Sequence, residues 1–183
     1  NGSPIGDSMP ALIALGASVV LRDRARSRTL PLENLYVAYM KTALAPDEIL
    51  EAIDVPLPRP ALCFRTYKLA KRYDSDISTV CAAFALDLDA DVIARCRIAY
   101  GGMAATPKRA GAAESALTGR AWTEATARAA MAALETDYTP LTDMRGSAGY
   151  RLRAAQNLLY RFFLETRPGK ALPAASLSVF AAG

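Results

Sequence analysis

Two short segments of this chain carry residues whose types and spacing suit ligand chemistry. The stretch NGSPIGD places Ser3 and Asp7 among glycines, directly before an apolar run. Glycine allows the backbone to approach a ligand closely, and the N–H groups at the start of a helix suit phosphate or hydroxyl groups. The Asp7 carboxylate would accept hydrogen bonds from ligand hydroxyls. The alternative is a plain turn in which Asp7 or Ser8 caps a helix.

The second segment is FRTYKLA with the loop KRYDSDIS after it. Lys68 is a lone cation on a predicted strand, and a cation near a ring carbonyl stabilises negative charge that develops there. Loops that join rigid elements often carry function. The alternative for Lys68 and for the loop is solvated surface charge. In YGGMAATPKR, the glycine pair indicates a tight exit from a strand.

Composition excludes several classes of site within this chain. There is no histidine, so a Ser-His-Asp or Cys-His nucleophile and a His-ligated metal are excluded. Cys63, Cys81 and Cys96 are far apart in sequence and form no CxxC pair, so they predict neither a zinc nor an iron–sulfur site. Scattered cysteines with apolar neighbours fit buried thiols in a reducing cytoplasm.

Charge and hydropathy argue against nucleic acid and membrane partners. The net charge of +4 is mild. The densest basic run, RDRARSR, has no aromatic residue to stack on a base. The longest apolar run, from Ala11 to Leu21, is shorter than the roughly 20 residues that span a bilayer. We expect a cytoplasmic protein.

The first part of the chain predicts a helix that ends at Gly16, then strands at ASVVLRD, RTLPL and Ile49–Val55. Pro56, Pro58 and Pro60 predict a stiff linker and a domain boundary.

After the linker, CFRTYKLA, TVCAAFALDLD and DVIARCRIAYGG alternate as strands, the last two as a hairpin. The middle strand has large residues on one face and Cys81, Ala83 and Ala85 on the other, which is small enough to lie under a helix. Arg95 and Arg97 predict a solvated face.

Three helices are predicted next, at about Lys108–Leu117, from a Thr123 cap, and at about Gly149–Glu165 with a Ser147 cap. Gly119 is predicted to end the first of them. The third has Leu152, Ala155, Leu159 and Phe162 on its apolar stripe and Arg151, Arg153 and Arg161 off it. Together these elements predict an α+β fold in which helices cover one face of a small antiparallel sheet.

These segments resemble the flavin-binding part of the molybdenum-containing hydroxylases, most closely the small (FAD and iron–sulfur) subunit of bacterial xanthine dehydrogenases. NGSPIGDSMPALIALGA resembles the end of the family's FAD-binding domain. FRTYKLAKRYDSDIS, IAYGGMAATPKRA and SAGYRLRAAQNLLYRF resemble the flavoprotein C-terminal domain. The resemblance implies that residues 1–58 end a two-subdomain FAD-binding domain, that 59–167 form the C-terminal domain, and that 168–183 form an extended tail.

The resemblance also implies roles for individual residues. Ser3, Asp7, Leu50 and Lys68 match positions at the FAD site, with Lys68 near the isoalloxazine. The loop beside the flavin, which affects NAD⁺ access, corresponds to Lys71, Arg72, Tyr73, Asp74, Ser75 and Asp76. Ser75 departs from an acidic residue of the animal enzymes, and Asn1 departs from a threonine. No residue of this chain is implied as an acid–base catalyst.

For the whole enzyme, the resemblance implies oxidation of hypoxanthine and xanthine to urate at molybdenum, with electrons passing through [2Fe–2S] centres and FAD to NAD⁺. The molybdopterin would lie on a partner large subunit, in a heterotetramer, and this chain would be the C-terminal part of a longer flavoprotein. The alternatives are the medium subunit of a carbon monoxide dehydrogenase or aldehyde oxidoreductase, a non-catalytic interaction domain, and a basic RNA-binding module.

Overall fold

A computed structural model of the chain describes residues 5–72 and 76–177. The first half of the described chain runs in the order α1 (Met9–Leu15), β1 (Ser18–Arg22), β2 (Ser27–Pro31), a 3-10 helix (Leu32–Leu35), β3 (Tyr36–Ala38), β4 (Lys41–Thr42) and β5 (Ile49–Asp54). The second half runs in the order β6 (Cys63–Leu69), β7 (Val80–Asp89), β8 (Val92–Gly101), β9 (Lys108–Arg109), α2 (Gly111–Leu117), α3 (Glu124–Asp137), α4 (Ala148–Thr166) and a 3-10 helix (Ala174–Leu177).

The strands up to the linker form a small antiparallel sheet in the order β2-β1-β5. Alternation along β1 buries Val19 and Leu21 on one face. These side chains pack with Ile13 of α1 and with Leu32 and Leu35 of the 3-10 helix. β3 and β4 form a separate hairpin, which the sequence did not predict.

The later strands form a second antiparallel sheet in the order β6-β7-β8-β9. Helices α2, α3 and α4 cover the face that carries Phe84 and Tyr100, and Phe84 stacks on Phe162 of α4 at a centroid distance of 4.9 Å. Helix α1 covers the other face, where Ala83, Ala85 and Ala99 are buried against it. This confirms the α+β fold and the prediction that the small-residue face lies under a helix. The expectation that helices cover only one face is wrong, because α1 covers the second face.

The predicted caps and helix ends are confirmed in four cases. Gly119 follows the end of α2 with a φ of 78°. Thr123 accepts a hydrogen bond from Thr126 N, and Ser147 accepts one from Tyr150 N. Gly16 ends α1 with a φ of 80°, a left-handed conformation that favours glycine. The predicted cap of α1 is wrong, because Ser8 makes no side-chain cap bond and the Asp7 carboxylate turns towards the second sheet.

Three other predictions are wrong for reasons of tertiary packing. Lys108 and Arg109 form strand β9 on β8, so the helix begins only at Gly111. Arg97 is half-buried under α1, where it donates to the Ile13 carbonyl oxygen and pairs with Glu33. Arg151 is buried, with 2% of its surface exposed, although the sequence placed it off the apolar stripe of α4.

No described helix is long and apolar enough to cross a membrane. The described residues also contain no group of three or more cysteine, aspartate or glutamate side chains that could hold a metal ion.

Candidate functional site

The site begins with a row of three residues that lie side by side across the second sheet. Lys68 of β6 pairs with Cys81 of β7, and Cys81 pairs with Gly101 of β8. Facing positions on adjacent strands point to the same face of a sheet. Lys68, Cys81 and Gly101 therefore share the face that α1 covers further along the same strands.

The turn before α1 lies directly over this row. The Lys68 ammonium donates to Asp7 Oδ2 at 2.7 Å, and the Cys81 thiol donates to the Asp7 carbonyl oxygen at 3.1 Å. A Cβ atom at Gly101 would come within 2.6 Å of the Ile5 carbonyl oxygen, so only glycine allows the turn to lie this close. Gly101, which the sequence predicted at the exit of a strand, thus also allows the turn before α1 to pack closely on the sheet.

Asp7 is held by partners from two segments. Oδ1 accepts a hydrogen bond from the Ser78 backbone N–H at 3.1 Å, while Oδ2 accepts from Lys68. Partial burial on its own raises the pKa of Asp7, but the hydrogen bonds from Lys68 and Ser78 outweigh it and the net pKa lies below the ordinary value. Asp7 is therefore ionised at neutral pH and forms a charged pair with Lys68.

The Lys68–Asp7 pair remains accessible to a ligand. The Lys68 side chain is 40% exposed and the Asp7 side chain 20% exposed. An ammonium has three N–H donors, so Lys68 retains donors beyond its bond to Asp7, while Asp7 also accepts from Ser78. Lys68 can therefore donate to a ligand carbonyl while it stays bonded to Asp7.

Cys81 is an unreactive member of the row. Burial raises the pKa of its thiol to about 11, and the nearby Asp7 charge acts in the same direction. The thiol thus stays protonated at neutral pH and serves as a hydrogen-bond donor to the turn.

The loop that follows β6 is closed at its base by a backbone bond from Thr79 N to the Leu69 carbonyl oxygen, at 2.7 Å. Arg72 and Asp76 form an ion pair within it, at 3.0 Å, and Lys71 is exposed. The predicted loop residues Tyr73, Asp74 and Ser75 lie outside the described residues, as do Ser3 and Asn1 of the opening turn.

A cavity of about 450 Å³ lies beside the turn. Its wall includes Ile5 of the turn, Gly102 at the exit of β8, Tyr39 of the β3–β4 hairpin, and Arg145 and Arg151. Tyr39 is 63% exposed and Leu141, also in the wall, is 70% exposed, so the rim is apolar and open. Cavities of this size with a few polar groups are typical of small-ligand sites.

A larger cavity, of about 710 Å³, lies between the proline linker and β8. Its arginines already have carboxylate partners: Arg59 and Arg95 both pair with Asp87, and Arg97 and Arg109 both pair with Glu33. We assign no ligand to it.

The structure brings together only part of the predicted set. Asp7 and Lys68 meet, and the loop of residues 71–76 begins two residues after β6. Leu50 lies on β5 of the first sheet, paired with Leu21 and 40% exposed, and its contact with a cofactor stays a prediction.

Sequence reasoning missed three contributors: the Ser78 amide, the Cys81 thiol and Arg151. A backbone donor leaves no trace in residue type. Cys81 was assigned only as a small residue. Arg151 lies four residues after the Ser147 cap of α4, and its charge alone indicates an exposed position.

The fold and site together define an α+β module in which one turn places an accessible carboxylate–ammonium pair on a sheet. Two family models match the chain. "CO dehydrogenase flavoprotein C-terminal domain" matches residues 65–166, and "FAD binding domain in molybdopterin dehydrogenase" matches residues 1–58. The first match covers more than half of the chain, which therefore belongs to the family of CO dehydrogenase flavoprotein C-terminal domains.

The chain is similar to several proteins of different activity. It is 34% identical over 170 residues to nicotinate hydroxylase hnxS of Emericella nidulans, covering 89% of this chain and 13% of that protein. It is 33% identical over 167 residues to the xanthine dehydrogenase of the same organism, covering 89% and 12%. It is 33% identical over 162 residues to the carbon monoxide dehydrogenase medium chain of Afipia carboxidovorans, covering 88% and 56%.

The fold is similar to that of a solved carbon monoxide dehydrogenase from Hydrogenophaga pseudoflava, which lacks the Mo-pyranopterin moiety of its molybdenum cofactor. The TM-score is 0.82 at 31% identity, covering 87% of this chain and 55% of that chain. This chain thus spans about an eighth of the two fungal relatives and about half of the carbon monoxide dehydrogenase chains.

The residues at the site fit FAD. The carboxylate of Asp7 suits the hydroxyls of a dinucleotide, the ammonium of Lys68 suits a ring carbonyl, and both groups are reachable from solvent. The comparisons support an FAD-binding part of the molybdenum hydroxylase family, whose molybdopterin and iron–sulfur cofactors belong to other parts of those enzymes.

Proposed function

We propose that this chain is the C-terminal part of the FAD and iron–sulfur small subunit of a xanthine dehydrogenase of the bacterial type. The observation that carries the proposal is the accessible Asp7–Lys68 pair, in which two residues that the resemblance implies as FAD contacts lie within 2.7 Å of each other. Residues 1–58 would complete the FAD-binding domain, residues 59–167 would form the C-terminal domain, and 168–183 would form the tail.

In this proposal Lys68 and Asp7 have different tasks. Lys68 donates to a flavin carbonyl and stabilises negative charge on the reduced ring. Asp7 accepts from cofactor hydroxyls and keeps Lys68 oriented through the bond of 2.7 Å. Ser3 and Leu50 complete the binding set. When bound, FAD would supply the two-electron chemistry that links one-electron centres to NAD⁺.

NAD⁺ would reach the site through the loop of residues 71–76 and the neighbouring cavity. The cavity of about 450 Å³ supports this, because it combines an exposed tyrosine, Tyr39, with the arginine Arg145. The tyrosine ring could stack on the planar nicotinamide or adenine of NAD⁺, and the guanidinium could bind the NAD⁺ phosphates.

The rest of the proposed enzyme lies outside this chain. Xanthine and hypoxanthine would be oxidised at a molybdopterin held by the large subunit of a cytoplasmic heterotetramer. Electrons would reach this flavin site through [2Fe–2S] centres. The free thiols of Cys63, Cys81 and Cys96 agree with a reducing compartment.

A second candidate is the medium subunit of another molybdenum hydroxylase. Two similarities support this candidate: the TM-score of 0.82 to a carbon monoxide dehydrogenase and the 34% identity to a nicotinate hydroxylase. A non-catalytic interaction domain is disfavoured, because a scaffold has no need of an accessible ion pair at this turn.

The experiment that separates these candidates is a substrate panel on the purified full complex, without oxygen. Xanthine, hypoxanthine, nicotinate, an aldehyde and carbon monoxide are added separately while the flavin absorption is recorded. Bleaching by the purines alone supports the proposal. Bleaching by another substrate supports the second candidate. A complex that contains no flavin supports the non-catalytic interaction domain.

A further inference from the structure

A buried guanidinium joins three separate segments of the chain close to the site. Arg151 Nη1 donates to the carbonyl oxygens of Thr79, at 2.5 Å, and Gly102, at 2.9 Å. Nη2 donates to Asp143 Oδ1 at 2.5 Å, and Nε donates to the Gly146 carbonyl oxygen at 3.4 Å. One side chain thus holds the start of β7, the exit of β8 and the turn before α4.

Packing alone does not require an arginine at this position. A buried charge costs desolvation free energy, and an apolar side chain of similar volume is often as stable or more so. What an apolar side chain cannot do is hold several carbonyl oxygens that converge on one point. The segments do converge, because a Cβ atom at Gly102 would come within 2.3 Å of the Thr79 carbonyl oxygen.

The bond to Thr79 leads directly to the Asp7–Lys68 pair. Thr79 follows Ser78, whose backbone N–H donates to Asp7 Oδ1. Thr79 N itself bonds to the Leu69 carbonyl oxygen, next to Lys68. Thr79 is thus held at its N–H by Leu69 and at its carbonyl oxygen by Arg151. Because Ser78 is the adjacent residue in the chain, anchoring Thr79 on both sides restricts the backbone that presents the Ser78 N–H to Asp7.

Asp143 keeps the guanidinium in this arrangement. Burial on its own raises the pKa of Asp143, but hydrogen bonds from the Arg145 backbone and from Arg151 outweigh it, so the net pKa lies below the ordinary value. Asp143 also accepts from Arg145 N at 2.7 Å, which ties the carboxylate to its own turn. Both Asp143 and Arg151 lie in the wall of the cavity of about 450 Å³.

We infer that Arg151, oriented by Asp143, is a positioning residue for the flavin site: it holds the Thr79 carbonyl and thereby aims the Ser78 amide at Asp7. Arg151 acts through other residues and needs no contact with the cofactor. The inference rests on the proposed function, because its readouts are properties of bound FAD.

The test uses the full-length holoenzyme with the substitutions Arg151→Met and Arg151→Lys. Arg153→Met is the matched control, since it removes the same charge from an exposed position on the same helix. FAD affinity is measured by equilibrium dialysis, and the flavin midpoint potential by titration. We expect Arg151→Met to weaken FAD binding roughly tenfold and to shift the potential, Arg151→Lys to fall between it and the wild type, and Arg153→Met to match the wild type.

A double-mutant cycle with Asp7→Ala separates positioning from simple stability. If Arg151 acts through the Ser78–Asp7 bond, Arg151→Met should weaken FAD binding far less in the Asp7→Ala background than in the wild type. Losses that multiply independently, or FAD binding by both Arg151 variants that equals that of Arg153→Met, would overturn the inference.

Asp143→Asn keeps the test decisive if Arg151→Met does not fold. This variant leaves the guanidinium in place without its charged partner, and we expect it to lower FAD affinity in the same direction as Arg151→Lys. Wild-type affinity in both variants would overturn the inference while leaving the proposed function intact. If the purified wild-type complex contains no FAD, the proposed function is overturned, and the inference with it.

Discussion

The Lys68 ammonium lies 2.7 Å from Asp7 Oδ2, although 61 positions of the chain separate the two residues. This bond joins the turn before α1 to strand β6 of the second sheet. It also means that the cation at the site does not act alone, because its field is partly offset by the carboxylate. Replacing Lys68 and replacing Asp7 should therefore shift the flavin midpoint potential in opposite directions.

Replacing Lys68 with Met should lower the flavin midpoint potential. The reduced flavin carries more negative charge, and removal of the cation removes its stabilisation. A tenfold loss in preference for the reduced form corresponds to about 30 mV for a two-electron couple. The measurement is a potentiometric titration of the holoenzyme.

Lys170→Met is the control for this experiment, because it removes one exposed positive charge from the segment after α4. The role proposed for Lys68 would be refuted by a Lys68→Met potential equal to that of the wild type and the control.

Replacing Asp7 with Ala should weaken FAD retention, since the variant loses a carboxylate for the cofactor and releases Lys68. We expect a loss of roughly tenfold, typical of one charge-assisted hydrogen bond. Flavin content per subunit after gel filtration measures it. In the fraction that still holds FAD, Asp7→Asn should raise the potential.

Asp89→Ala removes an exposed carboxylate from the far end of β7 and should keep full flavin content. Full occupancy in Asp7→Ala as well would show that Asp7 does not hold the cofactor.

The stability of the fold should depend on acid through Asp7. Its pKa in the folded state lies below the ordinary value of 3.8, despite partial burial, because Lys68 and Ser78 donate to it. Such a carboxyl stabilises the fold above its unfolded pKa, and the stabilisation is lost as the pH falls through the folded pKa. From about pH 5 to about pH 3, the free energy of unfolding should fall more steeply for the wild type than for Asp7→Asn. Urea unfolding at each pH measures both, and parallel curves would contradict this role.

Changes in the loop of residues 71–76 should affect NAD⁺ more than the molybdenum substrate. Arg72→Met breaks the ion pair with Asp76 at 3.0 Å, which joins the described residues on either side of positions 73–75. We expect slower reduction of NAD⁺ by the reduced enzyme and an unchanged rate of reduction by xanthine, both measured by stopped flow.

Arg128→Met is the matched control, since Arg128 also forms an exposed pair with a carboxylate four positions away, Glu124. Equal effects of Arg72→Met on both half-reactions would argue against a role of the loop in NAD⁺ access.

Replacing Gly101 with Ala should loosen the turn on the sheet. The added Cβ would meet the Ile5 carbonyl oxygen at 2.6 Å and the Gly6 carbonyl oxygen at 2.9 Å. We expect a lower melting temperature and weaker FAD retention. Gly149→Ala, within α4 and with open space around it, should instead stabilise the helix by about 0.5–1 kcal/mol. A Gly101→Ala variant as stable as the wild type would show that the turn can move without cost.

The sequence predicted those features that follow from local pattern. Alternation along β7 correctly indicated a face of small residues, with Ala83 and Ala85, that lies under a helix, although the sequence predicted helices on one face only and the structure has them on both. Thr123 and Ser147 were correctly predicted as caps because capping depends on residues within one turn.

The features that the sequence did not predict depend on contacts between distant segments. The Asp7 carboxylate does not cap the helix that follows it, because it is bonded by Lys68 and the Ser78 amide. Arg151 would be expected at the surface on charge alone, and its burial follows from the carbonyl oxygens that converge on it. In both cases the competing partner comes from a strand or loop whose position only the fold determines.

The most direct test of the account is an absorption spectrum of the full native complex, recorded without oxygen as xanthine and then NAD⁺ are added. The account predicts that xanthine bleaches the flavin and iron–sulfur bands and that NADH forms when NAD⁺ follows. A flavin spectrum that xanthine leaves unchanged would contradict the xanthine dehydrogenase assignment, and a complex without flavin would contradict the role of this chain in holding FAD.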